Sequence, residues 1–193
     1  DRSIVISVWG ESVAAADRHY VPGEFTTFAA YEYTSVKTVE GEDGTFGGGN
    51  LHRNVFFRDE APGKLFSTLN STNPEDLWDW LAAERAEGRD AIAIPHNSNV
   101  SNGRMFALDS YDGGPIDAAY AEQRMRNEPL VEMTQVKGTS ETHPELSPND
   151  EWANFEIYEK LLGSYIRSAV EGGYVREALA NGVGLQDDAG FNP

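Results

Sequence analysis

Short runs of β-forming residues alternate with capped, helix-spaced segments along this chain, and that alternation restricts its fold more than any other feature. Residues 25–33 (FTTFAAYEY) are aromatic and β-forming and follow the turn signal Pro22-Gly23. Residues 51–58 (LHRNVFFR) form a second strand, with His52, Asn54 and Phe56 on one face and Leu51, Arg53, Val55 and Phe57 on the other. Residues 91–95 (AIAIP) are a short apolar run of the kind covered on both faces, and residues 129–136 (PLVEMTQV) predict a further strand. Between them, Asn73-Pro74-Glu75-Asp76 opens a helix with a cap, a first-turn proline and two acids; Leu77, Trp80 and Leu81 share a face, and Gly88 ends it. Further helices are predicted over 115–126, from Ser147-Pro148 through Leu162, and over 165–180. Residues 4–9 suit a short strand or helix. Strands alternating with helices imply an α/β architecture with a mostly parallel sheet and flanking helices.

A length of 193 residues with 39% hydrophobic and 11% aromatic content suits one globular domain, 1–193. The formal charge of −17 opposes nucleic acid and anionic membrane surfaces, because no basic cluster is present to displace their counterions. With no cysteine, disulfides, thiolate nucleophiles and Cys-ligated zinc are excluded, leaving His, Asp, Glu, Asn and carbonyl oxygens as ligands. No apolar run reaches the roughly 18 residues of a membrane span. Acidity and lack of cysteine fit a periplasmic or extracellular protein, and a cytoplasmic one nearly as well. The chain opens without Met and ends without the strand that would follow its last helix, so it reads as an internal segment, incomplete at both ends.

Metal-capable side chains sit beside three of the apolar runs. Glu32 ends the first, His52 opens the second, and Pro95-His96-Asn97 ends the third. Strand ends are where parallel-sheet proteins gather ligands and catalytic groups. Read from the residues alone, Glu32 is better explained as a strand-end carboxylate paired with an arginine, and His52 suits a half-buried strand histidine equally well. Asn97, Asn99 and Arg53 are candidates for substrate contact, although capping and turn formation account for the asparagines as readily. Lys137 and Glu141, in QVKGTSETH, are candidates for anion binding and proton transfer, whereas an ordinary surface loop better accounts for His143. Trp78, Trp80, Trp152 and Phe155 read as helix core. The segment GEDGTFGGGN (41–50) lacks the Gly-Lys-Ser/Thr ending of a phosphate-binding loop and reads as a mobile flap.

The stretches YVPGEFTTFAAYEYTS, GGNLHRNVFFRD, AIAIPHNSNVSNGRMF, NEPLVEMTQVKGTSETHPELSPNDEWANFE and YVREALANG, in this order, closely resemble the family catalogued as domain of unknown function 3604. Members of that family look like the polymerase and histidinol phosphatase (PHP) superfamily of metal-dependent phosphoesterases. The resemblance implies a partial or distorted PHP-like (β/α)7 barrel holding two or three Zn, Mn or Fe ions. Glu32 would be its bridging carboxylate, and His52 and His96 ligands from the following strands. The superfamily's early His-x-His and final Asp-x-His have no counterpart here. The implied function is hydrolysis of a small anionic ester, most directly a phosphoester, by metal-bound hydroxide, with the remaining ligands supplied by other parts of a parent chain or an oligomer. The alternative is a noncatalytic binding module or an inactive fragment.

Overall fold

The computed structural model describes residues 2–193. Its elements are α1 (Arg2–His19), β1 (Ala29–Tyr33), β2 (Val36–Glu40), β3 (Phe46–Asn50), β4 (Arg53–Phe57), α2 (Pro74–Ala86), β5 (Ala91–Pro95), a 3-10 turn (Ser98–Val100), α3 (Ala118–Asn127), β6 (Thr134–Gln135), β7 (Gly138–Thr139) and α4 (Val175–Ala189).

The expected parallel barrel is not what forms. The central sheet has three strands in the order β1-β4-β5, and both pairings are antiparallel; β2-β3 and β6-β7 are separate antiparallel hairpins, and no closed barrel is present among the described residues. The connections explain this. A parallel pair needs a crossover that carries the chain back to the end where the first strand began. Between β1 and β4 the chain makes only the β2-β3 hairpin. Between β4 and β5 it makes an excursion through α2, but Phe57 pairs with Ala91 and Arg58 N–H donates to Asp90 O at 2.9 Å, so the excursion returns to the end it left.

The Gly-rich stretch is part of a hairpin and not a flap. Gly47, Gly48 and Gly49 pair with Val39, Thr38 and Lys37. Glycine is needed because β3 lies tight against its neighbours: a Cβ on Gly49 would lie 2.9 Å from Ser101 O, and one on Gly47 2.5 Å from Ser164 Oγ.

Antiparallel register decides which residues share a face. Tyr33, Arg53 and Pro95 are cross-strand neighbours, as are Tyr31, Val55 and Ala93. This face meets α1 and α2 in a core of Trp9, Tyr33, Val55, Phe57, Leu77, Leu81, Ala91 and Ala93. α2 forms as its sequence dictates: Asn73 Oδ1 accepts from Glu75 N–H at 2.9 Å, Pro74 opens the first turn, and Leu77, Trp78 and Leu81 are buried. α1 contributes chiefly Trp9, whose Nε1 donates to Pro62 O at 2.7 Å, while Ile4, Val5, Ile6 and Val8 stay exposed.

Three other expectations fail for identifiable reasons. Residues 150–162 form turns and bridges instead of a helix: Leu162 exchanges backbone hydrogen bonds with Gly48, Thr139 N–H donates to Glu156 O, and Glu156 is left-handed at φ 54. Trp152 and Phe155 are therefore exposed rather than core. The last helix begins after Tyr174, not at 165, and runs through Gly182 to a left-handed Gly190. Of residues 129–136 only Thr134 and Gln135 are strand; Pro129 has no N–H to give, and one bond, Glu132 N–H to Pro95 O, ties the segment to β5.

Arg53 and Glu128 form an ion pair at 2.8 Å with side chains only 3% and 2% exposed, and Trp78 Nε1 donates to the same Glu128 oxygen at 2.8 Å. Removing one charge strands the other in the core. Arg53→Met should lower stability by about 3–5 kcal/mol in urea denaturation, and adding Glu128→Gln should recover only part of the loss, since buried Arg124, 3.8 Å from Glu128 Oε2, then loses its carboxylate.

Candidate metal centre

The same register that builds the core face sends alternate residues to the other side. Glu32, Asn54 and Ile94 are cross-strand neighbours there, and His52 and His96 lie one residue beyond the ends of β4 and β5. His96 N–H donates to His52 O at 3.4 Å, continuing the ladder, so the two histidines stand opposite each other with Glu32 as a diagonal neighbour. The side chains converge. His52 Nδ1 is 2.7 Å and His96 Nε2 is 3.2 Å from the same oxygen, Glu32 Oε1, and the rings meet edge to face with centroids 5.6 Å apart. One ligand atom from each of the three lies within 4.8 Å of the others.

Exposure is graded, at 44% for the Glu32 side chain, 17% for His52 and 5% for His96, so the group opens to solvent at its carboxylate. No arginine pairs with Glu32 among the described residues; its charge is met by the two imidazoles alone. Burial lowers the pKa of His52 below its ordinary value; hydrogen bonding and attraction from Glu32 oppose this in part, and the neighbouring His96 and Lys137 reinforce it. The neutral imidazole, the form that binds metal, is therefore favoured at neutral pH. Two imidazoles and a carboxylate suit Zn, Mn or Fe, and three protein ligands with one open side is the arrangement of catalytic rather than structural zinc. These residues fit one divalent ion.

The other candidate residues divide sharply. Lys137 caps the turn between β6 and β7, near enough to His52 to act on its titration; its Nζ donates to Gln135 Oε1 at 2.9 Å, and it has no carboxylate partner among the described residues. Asn99 is fully committed: Nδ2 donates to Lys137 O and Tyr158 O, each at 2.9 Å, and Oδ1 accepts from Ser140 Oγ at 2.9 Å, which fixes the Lys137 turn against the His96 loop. Asn97 is left-handed at φ 53, 2% exposed, and neither of its amide atoms has a partner. Arg53 points to the core face, opposite His52, and is held by Glu128. Glu141 is held by Arg176 at 2.6 Å in an exposed pair and is not drawn into the triad. Sequence reasoning missed Asn50, wholly buried, whose Nδ2 donates to His96 O at 2.6 Å. Its one signal is a polar residue closing a glycine run just before His52.

On the triad's face of the sheet, Phe28, Phe56, Ile92, Ile94 and Leu130 line a cavity of about 390 Å³. Ile94 is the cross-strand neighbour of Asn54 and thus shares a row with Glu32; Phe56 and Ile92 form the next row.

A second group, His143, Glu145 and Glu159, is equally tight. It is occupied by protein. Arg167 bonds Glu145 and Glu159, and its guanidinium, with a smaller contribution from His143, holds the Glu159 carboxyl below the usual range. His143 Nδ1 accepts Glu145 N–H at 3.2 Å, which puts the proton on Nε2, facing Glu159 at 3.0 Å.

The family model described as protein of unknown function (DUF3604) matches residues 1–193, and the chain belongs to that family. No curated protein and no solved structure matches it. No helix among the described residues is long and apolar enough to cross a membrane.

Because the fold depresses the pKa of His52, the unfolded chain takes up a proton at about 6.5 while the folded one resists until lower pH. The contribution is full above that value and is lost as pH falls through the folded pKa. Urea midpoints of the metal-free protein, compared between about pH 7.5 and about pH 5.5, should fall more steeply for the parent than for His52→Gln.

Proposed function

We propose that this chain is a metal-dependent hydrolase of small anionic esters, most directly phosphoesters, with the chemistry of the PHP superfamily carried at the edge of an antiparallel sheet. The observation that supports it is the convergence of two imidazole nitrogens on one partly exposed carboxylate oxygen, with no arginine among the described residues to account for the carboxylate. A divalent ion bound by such a set lowers the pKa of a coordinated water and offsets negative charge on the ester. Glu32, His52 and His96 are the residues that would hold it. Lys137 supplies an ammonium with no carboxylate partner among the described residues, placed to hold the anionic group, and the apolar cavity one row away has room for an organic substituent.

Metal content decides the reading. The protein equilibrated with Zn, Mn or Fe and desalted should retain about one equivalent by inductively coupled plasma mass spectrometry, and His96→Ala should retain none. A folded protein that retains no metal and hydrolyses no chromogenic phosphoester overturns it. In the active protein, Lys137→Ala should raise KM about tenfold with a smaller change in kcat, the pattern of a lost ground-state contact.

A further inference from the structure

Seven buried side-chain nitrogen or oxygen atoms lack a hydrogen-bond partner among the described residues, and five of them belong to Asn50, His96, Asn97 and Ser98. Buried polar atoms are rarely left unpaired, so their concentration behind one candidate ligand requires a physical account. His96 turns Nε2 toward Glu32, and its other nitrogen, Nδ1, is one of the five. A histidine that coordinates through Nε2 carries its proton on Nδ1 and needs an acceptor there to fix the tautomer and the ring.

We propose that Asn50 is the positioning residue for His96, gripping its carbonyl with one end of the amide and taking the Nδ1 proton, through a buried water, with the other. This rests on the metal-binding role proposed above for His96. The grip is on the page: Asn50 is wholly buried and its Nδ2 donates to His96 O at 2.6 Å. That bond fixes where Oδ1 stands relative to His96, and Oδ1 is itself a buried acceptor with no donor. Two neighbours compete for the role less well. The Asn97 amide has no bond at either end to aim it, and the Ser98 hydroxyl rotates freely. Buried polar atoms without a protein partner are the kind that an ordered water satisfies. Asn50 reaches this place because β3 runs close under the Ser98–Val100 turn, as the near-contact of Gly49 with Ser101 O shows.

The two ends of the amide separate by substitution. Asn50→Asp keeps the acceptor and loses the donor, whereas Asn50→Leu loses both. Zinc affinity, measured by competition with a chromophoric chelator, should fall about 10–100-fold in Asn50→Leu and stay within a few-fold of the parent in Asn50→Asp, although both lose folding stability. Asn97→Gly, which keeps the left-handed backbone, should bind zinc like the parent. Independently of any variant, long-range proton–nitrogen spectra of the zinc-loaded parent should show the His96 proton on Nδ1 and slow to exchange. Equal weakening in both Asn50 variants reduces Asn50 to a structural bond and overturns the proposal. So does unchanged affinity in Asn50→Leu, or a His96 proton that exchanges freely. If the parent retains none of Zn, Mn and Fe and hydrolyses no phosphoester, the metal reading falls and this inference with it; if it binds metal and Asn50 has no effect, this inference falls alone.

Discussion

The pairing of Tyr33 with Arg53 and of Arg53 with Pro95 is the constraint on which the rest of the structure depends. It fixes the parity of three strands at once. Odd-numbered residues from Ala29 to Tyr33, from Arg53 to Phe57 and from Ala91 to Pro95 go to the core, and the opposite set goes to the other face. A slip of one residue in any strand would bury Glu32 or a histidine and expose Tyr33, Val55 or Ala93. The candidate centre is therefore a by-product of core packing. The apolar residues that choose the register also place Glu32, His52 and His96 together.

The buried Arg53–Glu128 pair secures the same end of the sheet from beneath. Arg53 occupies the core position beside Pro95 and next to His52, and it is held by Glu128, which follows α3, and by its own bond to Leu51 O at 2.6 Å. Trp78 of α2 closes on the same carboxylate. A salt bridge so deeply buried is a weak source of net stability, because desolvation offsets its attraction. What it contributes is direction: the strand start that carries His52 is tied to two helices, with no exposed loop carrying the load. Asn99 performs a similar task across the site, tying the Lys137 turn to the His96 loop.

Where local chemistry was decisive, the structure was legible in the sequence. Asn73-Pro74 with two first-turn acids makes α2, and the alternation from His52 to Phe57 assigns the faces of β4 correctly. The site residues stood out because Glu32, His52 and His96 are polar groups abutting apolar runs. Topology was not legible, because strand direction is set by where connections return, and the segment that would have revealed it, Gly47 to Gly49, reads as loop unless its close neighbours Ser101 and Ser164 are known. The helix expected from Ser147-Pro148 through Leu162 failed for a similar reason: its backbone is claimed by Gly48 and Thr139, both distant in sequence. That Arg53 is a buried, paired residue was not legible because its partner lies 75 positions away. Strand-end reasoning brought forward three residues that lie together even though the parallel sheet it assumed is absent: in an antiparallel sheet the end of β1, the start of β4 and the end of β5 fall at one edge.

Two clusters in this acidic chain have the residue types of a metal centre, and charge balance separates them. At His143, Arg167 already delivers the positive charge that Glu145 and Glu159 require, and a backbone N–H occupies the imidazole nitrogen that faces away from Glu159. A cation entering there would have to displace the guanidinium and force a tautomer that sets a ring N–H against the Glu145 N–H. At Glu32 neither obstacle exists. Among the described residues the carboxylate has two imidazoles against it; the fold disfavours the charged form of His52, and Nδ1 of His96 is not occupied by a backbone donor. A divalent ion entering there would meet convergent ligands without having to displace a guanidinium. Proximity of acids and histidines describes both places; a carboxylate that faces two imidazole nitrogens and solvent, with no guanidinium among the described residues, describes only one.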